Sequence, residues 1–375
     1  MCNITGTAAA GLRPSGVFAP GGRLWHKGMT QMPKAAMTQM NPHNHRPAPG
    51  PARAPLPKWK LPKPVNAGLW ARTPPALFPA LMGVIGLALA WRRGIAAFSL
   101  PQGLADLLAG AVALLAAFAL LTITVKIARR PAVVAEDLRI LPGRAGLAAA
   151  VLSAWLLVAL IAPVAPVLAR GLWVAVGLAH LALIGAFLVA LRAGPPEQRG
   201  VTPAWHLMLS GPVLGALAAL AVGWPEVAAA IFWPVLAVAV AIWAASGWQF
   251  AHEAPPAPLR PLLAVHLAPL AVFGTVAQGL GMTGLALTLA TLAGVLLAVL
   301  VAASRWLLAA GFTPFWGALT FPLVATASLW LAVGWRLAGG LLLVAATLIV
   351  VPIAFQVFKM WASGQLAIKT NAAVA

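Results

Sequence analysis

The chain is poor in the residues that build soluble active sites. It has one cysteine, Cys2, so no intramolecular disulfide and no cysteine metal cage can form. It has only six acidic residues in 375, so a carboxylate pair for general acid/base work is not expected. Only 8% of the residues are charged and 62% are hydrophobic, against about 25% charged in an ordinary soluble domain. Together these shortages exclude a soluble globular enzyme.

The 25 basic residues give a formal charge of +19, which in a soluble protein would suggest nucleic acid as a partner. Their positions argue otherwise. Ten lie between Arg13 and Arg72, in a stretch with no acid, and most of the others sit between apolar runs. That arrangement marks membrane orientation and lipid contact rather than nucleic-acid binding.

Residues 1–72 hold 11 Pro and 8 Gly and no apolar run able to span a membrane or build a core, so a disordered basic tail is expected. His43 and His45 in it are too few to hold a metal. From there the sequence divides into a membrane domain over 73–360 and a short cytoplasmic tail over 361–375. The membrane domain shows ten apolar stretches, roughly 76–91, 104–125, 145–164, 172–191, 203–222, 227–246, 262–280, 283–303, 316–333 and 337–358. They are long, rich in Ala and Leu, and without period-two alternation, so helices are expected and strands are not.

With the N-terminus inside, inner loops and tail carry Lys126, Arg129, Arg130, Arg139, Arg144, Arg192, Arg199, Arg260, Arg305, Lys359 and Lys369. Outer loops carry only Arg92, Arg93, Arg170 and Arg336. The excess predicts both termini in the cytoplasm of a multi-pass inner-membrane protein. Asp106 is placed in the first turn of span two, and Trp224-Pro225-Glu226 marks the start of span six.

No ionisable side chain falls near the middle of a predicted span, so a buried carboxylate relay is not expected. Three histidines lie in or near spans, His180, His206 and His266. Each is able to line a pore or move a proton, and each serves as readily in a plain interhelical hydrogen bond. Pro79, Pro212, Pro269 and Pro322 lie inside spans one, five, seven and nine, where they predict kinks. Odd spans could thus form an inner ring, although Pro234 and Pro352 interrupt spans six and ten.

Span nine and its approach read Phe312-Thr313-Pro314-Phe315-Trp316-Gly317-Ala318-Leu319-Thr320-Phe321-Pro322-Leu323. This resembles the Trp-x-Ala-x-Thr/Ser-Phe-Pro-Leu stretch of the TehA family, which includes slow-type anion channels and malate and sulfite transporters. Thr202-Pro203-Ala204-Trp205-His206-Leu207 with Gly211-Pro212, and Leu77-Phe78-Pro79 through Gly83, Gly86, Leu87 and Trp91, are similar to two further segments of that family. The resemblance implies an all-α, ten-helix membrane protein with odd helices as an inner pore ring and even helices around it. It also implies a homotrimer, small inorganic or organic anions as the permeant species, and Phe321 as the ring that blocks the pore. Thr320, His206 and His266 are the candidate polar residues of the lining. Span three lacks the family's central proline.

The expectation is therefore an anion channel or passive anion transporter with no cofactor, no metal and no covalent chemistry. A coupled carrier or exporter for C4-dicarboxylate, sulfite or tellurite is the first alternative, and a membrane enzyme or assembly factor the second.

Overall fold

The computed structural model describes residues 68–375, and among these the chain is helical with no strand. Residues 1–67 of the expected basic tail lie outside the described residues. Its last five do not behave as tail: Arg129 donates to the Leu69 carbonyl at 2.7 Å, and Trp70 stands edge-on to Phe118 with ring centroids 5.9 Å apart.

Thirteen α-helices follow one another: α1 (Phe78–Ala97), α2 (Gln102–Arg129), α3 (Ala132–Asp137), α4 (Leu141–Ile161), α5 (Pro166–Ala193), α6 (Val213–Ala221), α7 (Pro225–His252), α8 (Leu267–Gly279), α9 (Thr283–Ala302), α10 (Ser304–Leu307), α11 (Thr320–Ala332), α12 (Arg336–Ala362) and α13 (Gln365–Lys369). Nine of the described helical segments are long and apolar enough to cross a bilayer, and a tenth, His206–Ala221, is apolar but shorter. Helices suit this setting because each satisfies its backbone N–H and C=O groups internally, where hydrocarbon offers no partner.

The membrane helices pair as hairpins: α1 with α2, α4 with α5, α6 with α7, α8 with α9 and α11 with α12. The turn within each pair is short, three or four residues by the ranges above, and three of the five share one device. Gly223, Gly281 and Gly334 adopt φ of +83°, +78° and +87°, and the following N–H bonds back to the helix, Trp224 to Ala219, Met282 to Ala277 and Trp335 to Trp330. This is the Schellman closure, in which glycine takes the left-handed conformation and captures an orphan carbonyl of the last helical turn. Ser99, φ +55°, closes the first hairpin in the same way through Leu100 N–H and Ile95 O.

Within each hairpin the two helices differ in environment. Pro75–Ala97, Leu141–Ile161 and Ala257–Gly279 are 72% buried over their most apolar stretch, whereas Pro166–Ala193 and Pro225–His252 are 22% buried. The exposed helices turn Leu107, Leu114, Leu181, Leu341, Leu348 and Phe355 outward, as a lipid-facing surface requires. The buried helices contact one another in a closed cycle: α1 on α4, α4 on α6, α6 on α8, α8 on α11 and α11 on α1. Close approach at the α1–α11 seam depends on glycine. A Cβ on Gly83 would collide with the Thr320 side chain, and one on Gly86 would stand 2.9 Å from the Phe321 ring and 2.7 Å from Val324.

The prolines act differently from simple interior kinks. Pro79, Pro269 and Pro322 stand in the first turn of α1, α8 and α11, and Pro212 is the N-cap residue of α6. A missing N–H costs nothing there. Each marks a change of helix type, from 3-10 segments at Pro75–Leu77, Ala257–His266 and Pro314–Leu319, or a π turn at His206–Ser210, into α-helix. Pro142 takes the matching place in α4, so span three has its proline at the start rather than the centre. The prolines inside continuous α-helix are Pro234 and Pro352.

Two sequence placements need correction. Span two begins at Gln102, earlier than expected, so Asp106 lies beyond the first turn and is exposed. Span one runs on to Ala97, so Arg92 and Arg93 belong to α1 and not to a loop. The C-terminal segment is also tied down: Ala373 N–H donates to Asp137 Oδ1 at 2.9 Å, Arg130 to the Val374 carbonyl at 2.7 Å, and Ala375 N–H to the Ala71 carbonyl at 3.0 Å. Asp137 is fully buried and pairs with the equally buried Lys126 at 3.1 Å, whose ammonium also donates to the Thr73 carbonyl at 3.0 Å.

Candidate permeation pathway

Three cavities lie along the cycle of buried helices; two take wall residues from all five of its members, and the third takes Leu207 of the π turn in place of α6. Near the N-terminal ends of the helices a cavity of about 30 Å³ is bounded by Pro79, Met82, Ala145, Leu207, Val265 and Phe315. A second, of about 20 Å³, lies against Leu152, His206, Ser210, Gly211, Ala268 and Val272. Towards the C-terminal ends a chamber of about 340 Å³ is lined by Leu89, Arg92, Arg93, Pro163, Thr275 and Ser328, among others. One residue lines all three, Phe321.

Phe321 reaches this place because α11 starts one residue earlier, at Thr320, and because Gly86 leaves room for its ring on α1. It is 6% exposed. The walls on its narrow side are mostly aliphatic, and voids of 20–30 Å³ hold one water each at most. A narrow, apolar and nearly dry segment of this kind stops ions, because nothing replaces the hydration shell that an ion must shed.

The chamber on the other side is different in character. Arg92 Nη1 donates to the Leu160 carbonyl at 2.9 Å, and Arg93 Nη1 donates to Ser328 Oγ at 3.0 Å, so the two guanidinium groups are fixed against α4 and α11 on either side of α1. No acidic residue lines the chamber. At an effective dielectric constant of about 20, a monovalent anion about 5 Å from one guanidinium gains about 3 kcal/mol, and a cation loses as much.

Of the polar candidates, Thr320 is turned away from the cavities. It is fully buried, with its hydroxyl spent on the Gly317 carbonyl at 2.7 Å and the Pro79 carbonyl at 3.1 Å, where it clamps α11 to α1. His206 lines the smallest cavity and bonds through Nδ1 to Ser210 Oγ at 3.0 Å. The Ser210 proton goes to the His206 carbonyl, so Nδ1 is the donor of the pair. His266 stands edge-on to His206, ring centroids 5.1 Å apart, and faces an open cavity of about 830 Å³ at the N-terminal end, which Arg139, Arg144, His252 and Glu253 also line. His180 lies off the path. It accepts from Trp155 Nε1 at 3.1 Å and donates from Nε2 to the Met208 carbonyl at 3.1 Å, an interhelical tie that joins α4, α5 and the π turn.

The sequence reading missed Arg92, Arg93 and Ser328. The available signal was the apolar run Gly94-Ile95-Ala96-Ala97, which carries span one a full turn beyond Trp91 and draws both arginines onto a buried helix.

No curated protein matches the chain. The sequence profile of the voltage-dependent anion channel family (SLAC1) matches residues 72–362, which takes in every buried helix of the cycle and all three cavities. That match covers most of the chain and agrees with the resemblance carried by the Thr-Phe-Pro segment of α11, and so the protein belongs to the voltage-dependent anion channel family.

Proposed function

We propose that the cycle of buried helices encloses an anion-conducting pore and that the phenyl ring of Phe321 closes it. The observation that carries this reading is the position of Phe321 as the single residue shared by all three axial cavities. The ring separates a wide, positively charged chamber from a narrow aliphatic segment. Rotation about its side-chain torsions opens the path without moving a helix. Passive flow is favoured over coupled transport because none of the three cavities has a carboxylate in its wall.

The protein works in this reading as a homotrimer in the cytoplasmic membrane, both termini inside, with the arginine-lined chamber opening outward and small inorganic or organic anions as its cargo. Currents across planar bilayers containing the purified full-length protein test it. Asymmetric potassium chloride is expected to give a reversal potential on the anion side, without need of a pH gradient. A cation-side reversal, or flux that requires a proton gradient, would overturn it.

A further inference from the structure

We infer that Arg92, Arg93 and Ser328 form an anion-binding subsite in the chamber, built for a planar oxyanion such as a carboxylate or nitrate rather than for a spherical halide. The inference rests on the pore reading for its role in permeation, but not for its existence as a binding site.

Three features point to a ligand. First, both guanidinium groups are held by helix carbonyls or a hydroxyl, and among the described residues neither is in an ion pair. One nitrogen of each guanidinium carries its bonds to the helices, so the remaining N–H donors are left for an occupant. Second, Ser328 Oγ accepts from Arg93 but, unlike Thr275 and Thr326 nearby, does not return its proton to the carbonyl four residues back. An acceptor placed in the chamber can take that proton. Third, the volume of about 340 Å³ admits a polyatomic anion with several waters, at about 30 Å³ for each water.

The preference for oxyanions follows from geometry. A guanidinium presents parallel N–H bonds that match the two oxygens of a carboxylate or nitrate and gain nothing comparable from a halide. Because Arg92 is tied to α4 and Arg93 to α11, little side-chain freedom is lost when the anion arrives.

The test measures binding and permeation separately, on the full-length protein. Thermal unfolding in detergent is followed as sodium nitrate or sodium formate replaces sodium chloride at constant ionic strength. Stabilisation by either oxyanion over chloride is expected for the parent, with apparent affinity at least tenfold weaker in Arg93→Gln and in Arg92→Gln. Ser328→Ala, which removes one hydroxyl and keeps both charges, is expected to weaken it by a smaller factor. In bilayers, with Phe321→Ala to hold the path open, Arg93→Gln should lower the nitrate-to-chloride permeability ratio. Oxyanion stabilisation that depends on Arg92 and Arg93 in a protein that passes no current would keep the subsite and end the pore reading. Anion currents with equal nitrate and formate effects in parent and both arginine variants would keep the pore and overturn the subsite.

Discussion

Replacing Phe321 with alanine separates a gate from a packing residue by kind and not only by degree. In a closed core, removing a phenyl ring costs about 3–5 kcal/mol, much of it from the void left behind, at about 24 cal/mol per Å³. Phe321 already borders voids of about 20, 30 and 340 Å³, so the space it leaves joins a cavity that water reaches. The void contribution then largely disappears and the transfer contribution remains, for an expected loss of about 2 kcal/mol. Conductance should rise tenfold or more, equivalent to a barrier lower by about 1.4 kcal/mol. Phe315, which lies at the approach to span nine, is a poor control because it lines the narrow cavity. Phe232 is the better one: fully buried in α7, it packs edge-on against Phe273 with centroids 5.4 Å apart and lies outside all three cavities. Phe232→Ala should lose the full 3–5 kcal/mol and leave conductance unchanged. Thermal unfolding and single-channel recording of both variants decide the matter. If Phe321→Ala behaves as Phe232→Ala does, less stable and no more conductive, the gate assignment is wrong.

Three further expectations follow from named contacts. His180→Ala strands the Trp155 indole N–H and the Met208 carbonyl in a buried site, so stability should fall by about 2–5 kcal/mol with no change in single-channel current; an altered current would place His180 on the path. Asp137→Asn leaves the Lys126 ammonium buried without its counter-charge and should cost about 3–5 kcal/mol, whereas Lys126→Met combined with Asp137→Leu should recover most of that; equal losses in the single and double variants would contradict the buried-pair account. For topology, in a Cys2→Ser background, Val164→Cys should react with an impermeant maleimide from outside and Ser363→Cys only from inside. Both sites are exposed, and Val164 avoids the positive φ of Gly281, which a new side chain would strain; labelling from one side only would refute the assigned orientation.

The order of the long apolar helices was legible because each is written in consecutive residues, although the ten stretches expected appear as nine long apolar helices and one shorter one among the described residues. A span is a local count of apolar side chains, and the Thr-Phe-Pro-Leu segment is short enough to be recognised alone. Partnership was not legible. Lys126 and Asp137 are 11 residues apart and look like unrelated loop charges until α2 and α3 fold back on each other. Thr320 sits beside Phe321 in sequence, yet at successive helical positions side chains point about 100° apart, and its hydroxyl was already claimed by α1. Burial was equally silent: α2 and α4 are both uniformly apolar, and only the second is enclosed. In lipid an apolar face is acceptable on either side, so hydropathy cannot say which helices line the centre.

The arginines and the ring stand at matched depths. Arg93 is seven residues beyond Gly86, against which the Phe321 ring packs, and its partner Ser328 is seven residues beyond Phe321. At 1.5 Å per residue both intervals are about 10 Å, so the charged part of the chamber lies about that far from the ring along two neighbouring helices. A unit charge at about 10 Å still contributes about 1.7 kcal/mol at an effective dielectric of about 20. In the proposed reading, two such charges hold an anion in the chamber whether the ring is closed or open. Selection by charge and closure by the ring are, in that reading, separable functions of one path. The selectivity of Phe321→Ala follows directly: its currents should rise while the reversal potential keeps the sign and nearly the size of the parent's. A variant that opens and loses its anion preference would mean that the ring itself, and not the arginines beyond it, does the selecting.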